Sequence, residues 1–259
     1  MCRHWGFYVA ADPKELGSED FQRIVCDLAT YQDYAKTQQS IDHTQETATR
    51  ALSQVLLSRF LLFGLLVEEV QALNEQYRLP WSQYRRLWVL LQAQPNEIFG
   101  RDLFLQLALV LQPANLSDLN TRTRKKFQEL PSQLTKEPFR CVLDESQVTT
   151  DARYRDFFSE HKMTTRPLLR EVWRSWTTIF HPLEMNLILS GTGLKEDEIT
   201  STLSSNAFKL ENYAIKRDIG AFDDPDDQAY YIRMYIPAVW TDTKWREFLK
   251  RSWAWCRGR

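Results

Sequence analysis

The middle of this chain constrains the rest. From Thr44 to about Leu130 the apolar residues recur at helical spacing, interrupted only near Pro80, Pro95 and the Gln112–Ser117 stretch. The segments on either side are short, apolar and strand-like. Any fold must therefore hold a block of helices, assigned here to 41–135, between two strand-bearing parts, 1–40 and 136–259.

Within the block, 44–77 reads as one long helix or two abutting ones, with Gly64 as the weak point. A second helix is expected from Pro80 to about Gln94, with Trp81, Tyr84, Leu87, Trp88 and Leu91 on its apolar stripe. A third is expected from Glu97 to Gln112 and a fourth from Ser117 to Leu130. The longest apolar run, Phe60 to Val67, lies between Arg59 and Glu68-Glu69 and is far shorter than a bilayer span. It reads as a buried helix, so no membrane partner is expected.

The flanks read differently. Trp5 to Ala10 is an aromatic, β-branched strand. Ser18 then caps a helix carrying Phe21, Ile24, Val25 and Leu28. Phe139 to Leu143 is a second short strand, and Arg166 to Phe180 an amphipathic helix. Met185 to Ser190 is expected to be a buried strand, Glu196 to Leu203 a short helix, and Tyr213 to Lys216 a further strand. Helices over 226–235 and 243–256 close the chain. Strands alternating with helices imply an α/β fold with a parallel sheet.

Charge excludes one class. With 33 Lys+Arg against 34 Asp+Glu the net charge is -1, which argues against a generally basic nucleic-acid coat protein. The small patch Arg122, Arg124, Lys125 and Lys126 reads as a solvated helix face, and only weakly as a DNA contact. Cys2, Cys26, Cys141 and Cys256 lack metal-ligand or disulfide-framework spacing and read as reduced thiols. Met1 to His4 leads into a strand rather than an apolar leader, so an intracellular location, cytoplasm or nucleus, is expected. His4, His43, His161 and His181 share no metal-ligand spacing. Asp223, Asp224, Asp226 and Asp227 lack the glycine and distal glutamate of a calcium loop.

The sharpest chemical feature is Phe139-Arg-Cys-Val-Leu-Asp144-Glu145. Two consecutive carboxylates at the carboxyl end of a parallel strand lie where open α/β sheets bind ligands. In P-loop ATPases such a Walker B pair divides two tasks. The first acid helps hold Mg²⁺, and the second orients the attacking water. About forty residues on (Met185–Ser190 against Phe139–Asp144), the next strand ends in Ser190-Gly191-Thr192-Gly193. A hydroxyl at that neighbouring tip can donate to a phosphate oxygen.

Several segments occur in order: Cys2-Arg-His-Trp-Gly-Phe-Tyr8, Cys141-Val-Leu-Asp-Glu-Ser-Gln147, Arg166-Pro-Leu-Leu169, Leu187-Ile-Leu-Ser-Gly-Thr-Gly-Leu194, Asp218-Ile-Gly-Ala-Phe-Asp-Asp224 and Trp253-Ala-Trp-Cys-Arg-Gly-Arg259. Together they resemble the P-loop ATPase module of fungal Crinkler-type proteins, which is similar to the retrotransposon-hot-spot ATPases. The resemblance spans nearly the whole chain and is weakest in the helical middle. It implies an incomplete P-loop NTPase-like parallel sheet with a large all-helical insert. It implies ATP and Mg²⁺ as ligands, with Asp144 on the metal, Glu145 on the water and Thr192 reading the γ-phosphate. Ser190, Gly191, Gly193 and Arg166 would border the nucleotide.

One departure matters. Wrapping the β- and γ-phosphates needs G-x-x-x-x-G-K-[ST], yet none of the eight glycines is followed by Lys. Relative to the family pattern, the chain is expected to begin one β-loop-α unit late. Little ATP hydrolysis is then expected from it alone. The alternatives are a non-enzymatic interaction module, meeting protein partners through its aromatic helical middle, and a DNA-associated protein.

Overall fold

Short apolar strands bury both faces only when helices cover them, and this chain supplies helices in excess. The computed structural model describes residues 5–12, 16–24, 38–77, 80–131, 134, 139–150, 157–158, 165–183, 185–191, 194–195, 197, 199–200, 225–233 and 242–256. They divide into two compact units, Met1–Phe208 and Lys209–Arg259.

In the first unit, β1 (Gly6–Ala10), β2 (Arg140–Asp144) and β5 (Asn186–Leu189) form a parallel sheet in the order β1-β2-β5. Ala10 registers with Asp144, and Leu143 with Leu189. Gly6 is required by this pairing, since a Cβ there would collide with the carbonyl oxygen of Arg140. A small antiparallel pair, β3 (Phe157–Phe158) with β4 (Thr165–Arg166), lies between β2 and β5 in sequence.

The helices are α1 (Gln38–Tyr77), α2 (Trp81–Ala93), α3 (Pro95–Phe99), α4 (Leu103–Val110), α5 (Leu116–Gln128) and α6 (Leu168–Phe180). Helix α1 runs unbroken through Gly64, where an added methyl group would meet no neighbour within 4 Å. The expected 97–112 helix is instead two. Gly100 ends α3 in the left-handed region (φ 68°), and Asp102 caps α4 by accepting from Leu105 N at 3.0 Å. Residues 45–73 are long and apolar enough to cross a membrane, but 61% of their 18-residue apolar window is buried inside the fold.

Helices and sheet share one core. Phe7 of β1 meets Phe60 at 4.6 Å and Phe139 at 5.0 Å between ring centroids, and Phe63 meets Trp88 at 5.1 Å. These rings fill the space between β1 and the helices. Trp88, on its expected apolar stripe, and Trp176 are buried there, and each indole N–H finds a carbonyl, that of Gly6 at 2.8 Å and of Leu52 at 3.1 Å.

The two sheet edges are treated differently. On the outer edge of β1, no described strand pairs, yet the backbone is satisfied by side chains. Gln92 accepts from Tyr8 N at 2.9 Å, while Arg59 Nε donates to Tyr8 O at 3.2 Å and Trp88 to Gly6 O. At the other edge β5 also pairs with no further described strand, and Ile188 is 38% exposed. The expectation of a buried strand over Met185–Ser190 is thereby corrected to a half-covered edge strand, because the apolar run meets no second neighbour among the described residues.

In the second unit, α7 (Pro225–Arg233) packs on α8 (Asp242–Cys256). Gln228 donates to Ser252 O at 3.2 Å, and the Arg233 guanidinium lies over the Trp245 ring. The expected strand 213–216 and the acidic stretch Asp223–Asp224 lie outside the described residues, as does most of the expected helix 196–203.

Candidate functional site at the strand tips

Strand β2 is the middle strand, so its carboxyl end is flanked by the tips of both neighbours. Asp144 is its last residue, and the chain leaves the sheet through Glu145 into a 3-10 turn, Ser146–Thr150. Glu145 stands at φ 51°, a left-handed conformation that costs a non-glycine residue about 1–2 kcal/mol. The Glu145 amide donates to Asp144 Oδ1 at 3.1 Å. Tyr8 of β1 donates its hydroxyl to the other oxygen, Oδ2, at 3.0 Å. The carboxylate is thereby fixed at both atoms. The tyrosine proton is held strongly: burial first, and then the Asp144 charge, push the Tyr8 hydroxyl well above the ordinary tyrosine range.

Glu145 is oriented from the other side. The Gln147 amide nitrogen donates to Glu145 Oε2. The Gln147 amide oxygen is buried and accepts no hydrogen bond. It also occupies the space that a Cβ on Gly191 would need. So Gly191 is there because the Gln147 amide fills that space. Ser146, fully buried, ties the same two tips together, with N and Oγ both donating to Ser190 O at 2.8 and 2.7 Å.

The structure therefore brings Asp144, Glu145, Ser190 and Gly191 to adjoining strand ends, as the sequence implies. Thr192 and Gly193 lie outside the described residues, and so does the side chain of Arg166, whose backbone belongs to β4 just before α6. Sequence reasoning misses Tyr8 and Gln147 as site residues. Gln147 lies within the quoted motif, so its position two residues after Glu145 is a usable signal. Tyr8 ends the first of the resembling segments, but its role is not visible there, because its partner is 136 residues away.

Among the described residues no group of three or more His, Cys, Asp or Glu is gathered for a metal. Asp144 and Glu145 supply hard oxygens of the kind Mg²⁺ takes when phosphate and water complete its shell. They fit the metal-bound end of a magnesium nucleotide. Nothing in the 259-residue sequence fits the phosphate-wrapping loop.

Compared with protein-family models, curated proteins and solved structures, the chain matches none of them. What the fold and site define is a class: an α/β protein, mostly helical, built on a small three-stranded parallel sheet with paired acids at the tip of its central strand.

Proposed function

We propose that this chain carries the Walker-B-bearing part of a P-loop NTPase-like ATP site of the Crinkler type. The observation that carries the reading is the adjacency of two tips in one parallel sheet. Asp144-Glu145 end the middle strand, and Ser190-Gly191 end the next. Ligands of open α/β sheets bind at that end. Two features add support. Both Asp144 oxygens are held by donors, which suits a residue that must present a fixed lone pair. The edge of β5, which pairs with no described strand, is where a further parallel strand bringing a phosphate loop would join.

Bound magnesium would supply charge neutralisation for the phosphates. Asp144 is the residue to hold it, Glu145 the residue to orient water, and Ser190 or Thr192 the hydroxyl that reads the terminal phosphate. Without a phosphate loop the chain turns ATP over slowly or not at all. Joined to a strand-loop-helix segment bearing G-x-x-x-x-G-K-[ST], it should hydrolyse ATP. Glu145→Gln should then abolish turnover and keep binding. Unchanged turnover in that variant would sink the assignment.

The interaction-module reading is favoured by one observation. Leu109 and Val110, consecutive at the end of α4, are 47% and 73% exposed. Substituting both with Ser should leave stability unchanged and abolish capture of any specific protein partner.

A further inference from the structure

Helix α6 begins in an unusual electrostatic setting. Its first residues, Leu168 and Leu169, are buried, and the residue before them is Pro167, which has no side chain able to cap their N–H groups. Arg170 N already donates to Pro167 O at 3.1 Å, so the amides of Leu168 and Leu169 are the ones with no acceptor within the helix, at the positive end of a 13-residue helix dipole.

The same turn carries a cation. Arg170 is 6% exposed, and its Nε is buried with no acceptor. Among the described residues its guanidinium makes no hydrogen bond or ion pair. Side chains on a helix lean toward its N-terminus, so Arg170 leans toward the uncapped amides. The neighbouring acid does not neutralise it: Glu171 points about a quarter-turn away and is engaged by Arg174 at 2.8 Å. A permanently charged guanidinium that is mostly buried, with its Nε out of reach of water and no counter-charge among the described residues, is costly, and buried charges in native proteins are normally paired.

The position of this turn follows from the chain path. A 3-10 turn, His181–Leu183, joins α6 to β5, and Met185 N bonds to Phe180 O at 3.2 Å, so the helix ends at the amino end of the sheet. The helix, about 20 Å long, runs back along β5 and packs on the Ser146–Thr150 turn. Its first turn thus lies toward the carboxyl end of the strands.

We propose that the first turn of α6, with Arg170, is a binding site for a phosphate-type oxyanion. An oxyanion accepts from the free amides and from the guanidinium fork together, and it supplies the missing counter-charge. The inference does not depend on the nucleotide reading. Free phosphate and the terminal phosphate of a nucleotide offer the same group.

The test uses the full chain with two probes, inorganic phosphate and Mg-ATP, followed by thermal unfolding and equilibrium dialysis. Binding should raise Tm in proportion to the logarithm of probe concentration. Arg170→Met should raise Tm without phosphate, because an unpaired buried charge is removed, and should weaken binding about ten- to a hundredfold. A purely structural arginine would do the reverse, with Arg170→Met lowering Tm and leaving the phosphate response intact. That result overturns the proposal, as does failure of the wild-type chain to bind either probe. Response to phosphate alone supports a free-anion site, even if the Walker B reading fails. Response to Mg-ATP alone supports a nucleotide phosphate.

Discussion

Arg59 and Asp20 form an ion pair with almost no access to water, 1% and 0% exposed at the side chains. The fork is two-pronged, with Nη1 to Oδ2 at 2.5 Å and Nη2 to Oδ1 at 3.0 Å. Arg59 also donates to Val55 O at 2.9 Å and to Tyr8 O at 3.2 Å, and lies over the Phe104 ring. In Arg59→Met, the Asp20 carboxylate keeps the Phe21 amide at 2.9 Å but loses its counter-charge. In Asp20→Leu, a guanidinium is left with carbonyls alone. Each single change should cost about 3–5 kcal/mol. The double variant removes both charges, and what remains is chiefly the abandoned Tyr8 carbonyl and Phe21 amide, about 1–3 kcal/mol each. The two singles thus sum to about 6–10 kcal/mol while the double costs less, about 2–6 kcal/mol. Urea unfolding of the four chains, followed by tryptophan fluorescence at low temperature, measures this directly. Singles that each cost under about 1 kcal/mol, or a double that equals their sum, would refute the account of a desolvated, mutually dependent pair.

The Tyr8 hydroxyl offers a pH test. Its folded pKa lies above that of the unfolded chain, so the stability it contributes is complete below about pH 10 and falls as pH rises beyond it. Tyr8→Phe should flatten that alkaline limb by about half a proton at about pH 10 and close to one by about pH 11, read from urea midpoints, and an unchanged slope would contradict a buried hydroxyl held by Asp144. At Gly6 the obstacle is backbone, so Gly6→Ala should push β1 from β2 and destabilise by about 1–3 kcal/mol or more, with loss of cooperative unfolding as the extreme outcome.

Short-range pattern dictates what can be read from the sequence. The strand at Gly6–Ala10, the helices flanking Pro80, and Arg140–Asp144 ending on its acids all follow from periodicity and punctuation. The break at Gly100 is also written locally, with a glycine for the left-handed stop and Asp102 for the next cap. The apolar spacing across it conceals the break, because α3 and α4 keep apolar residues on both sides. The edge position of β5 is not written at all. Leu187-Ile-Leu189 reads as buried whether or not another strand pairs beside it, since neighbour count belongs to the sheet.

The site shows the same division at a finer scale. Asp144 and Glu145 are visible as a pair, but what fixes them comes from elsewhere in the chain. Tyr8 reaches Asp144 because β1 and β2 are in one register, and that register leaves the Tyr8 backbone facing outward. There Gln92 of α2 and Arg59 of α1 take its N–H and its carbonyl. The helical block therefore closes the edge of the strand whose tyrosine holds the candidate metal-binding acid. A break in Arg59 or Gln92 would be felt at Asp144 through two hydrogen bonds, one to the backbone of Tyr8 and one from its hydroxyl. The insert is in this sense part of the site's support, and its conformity to helical pattern alone could not reveal it.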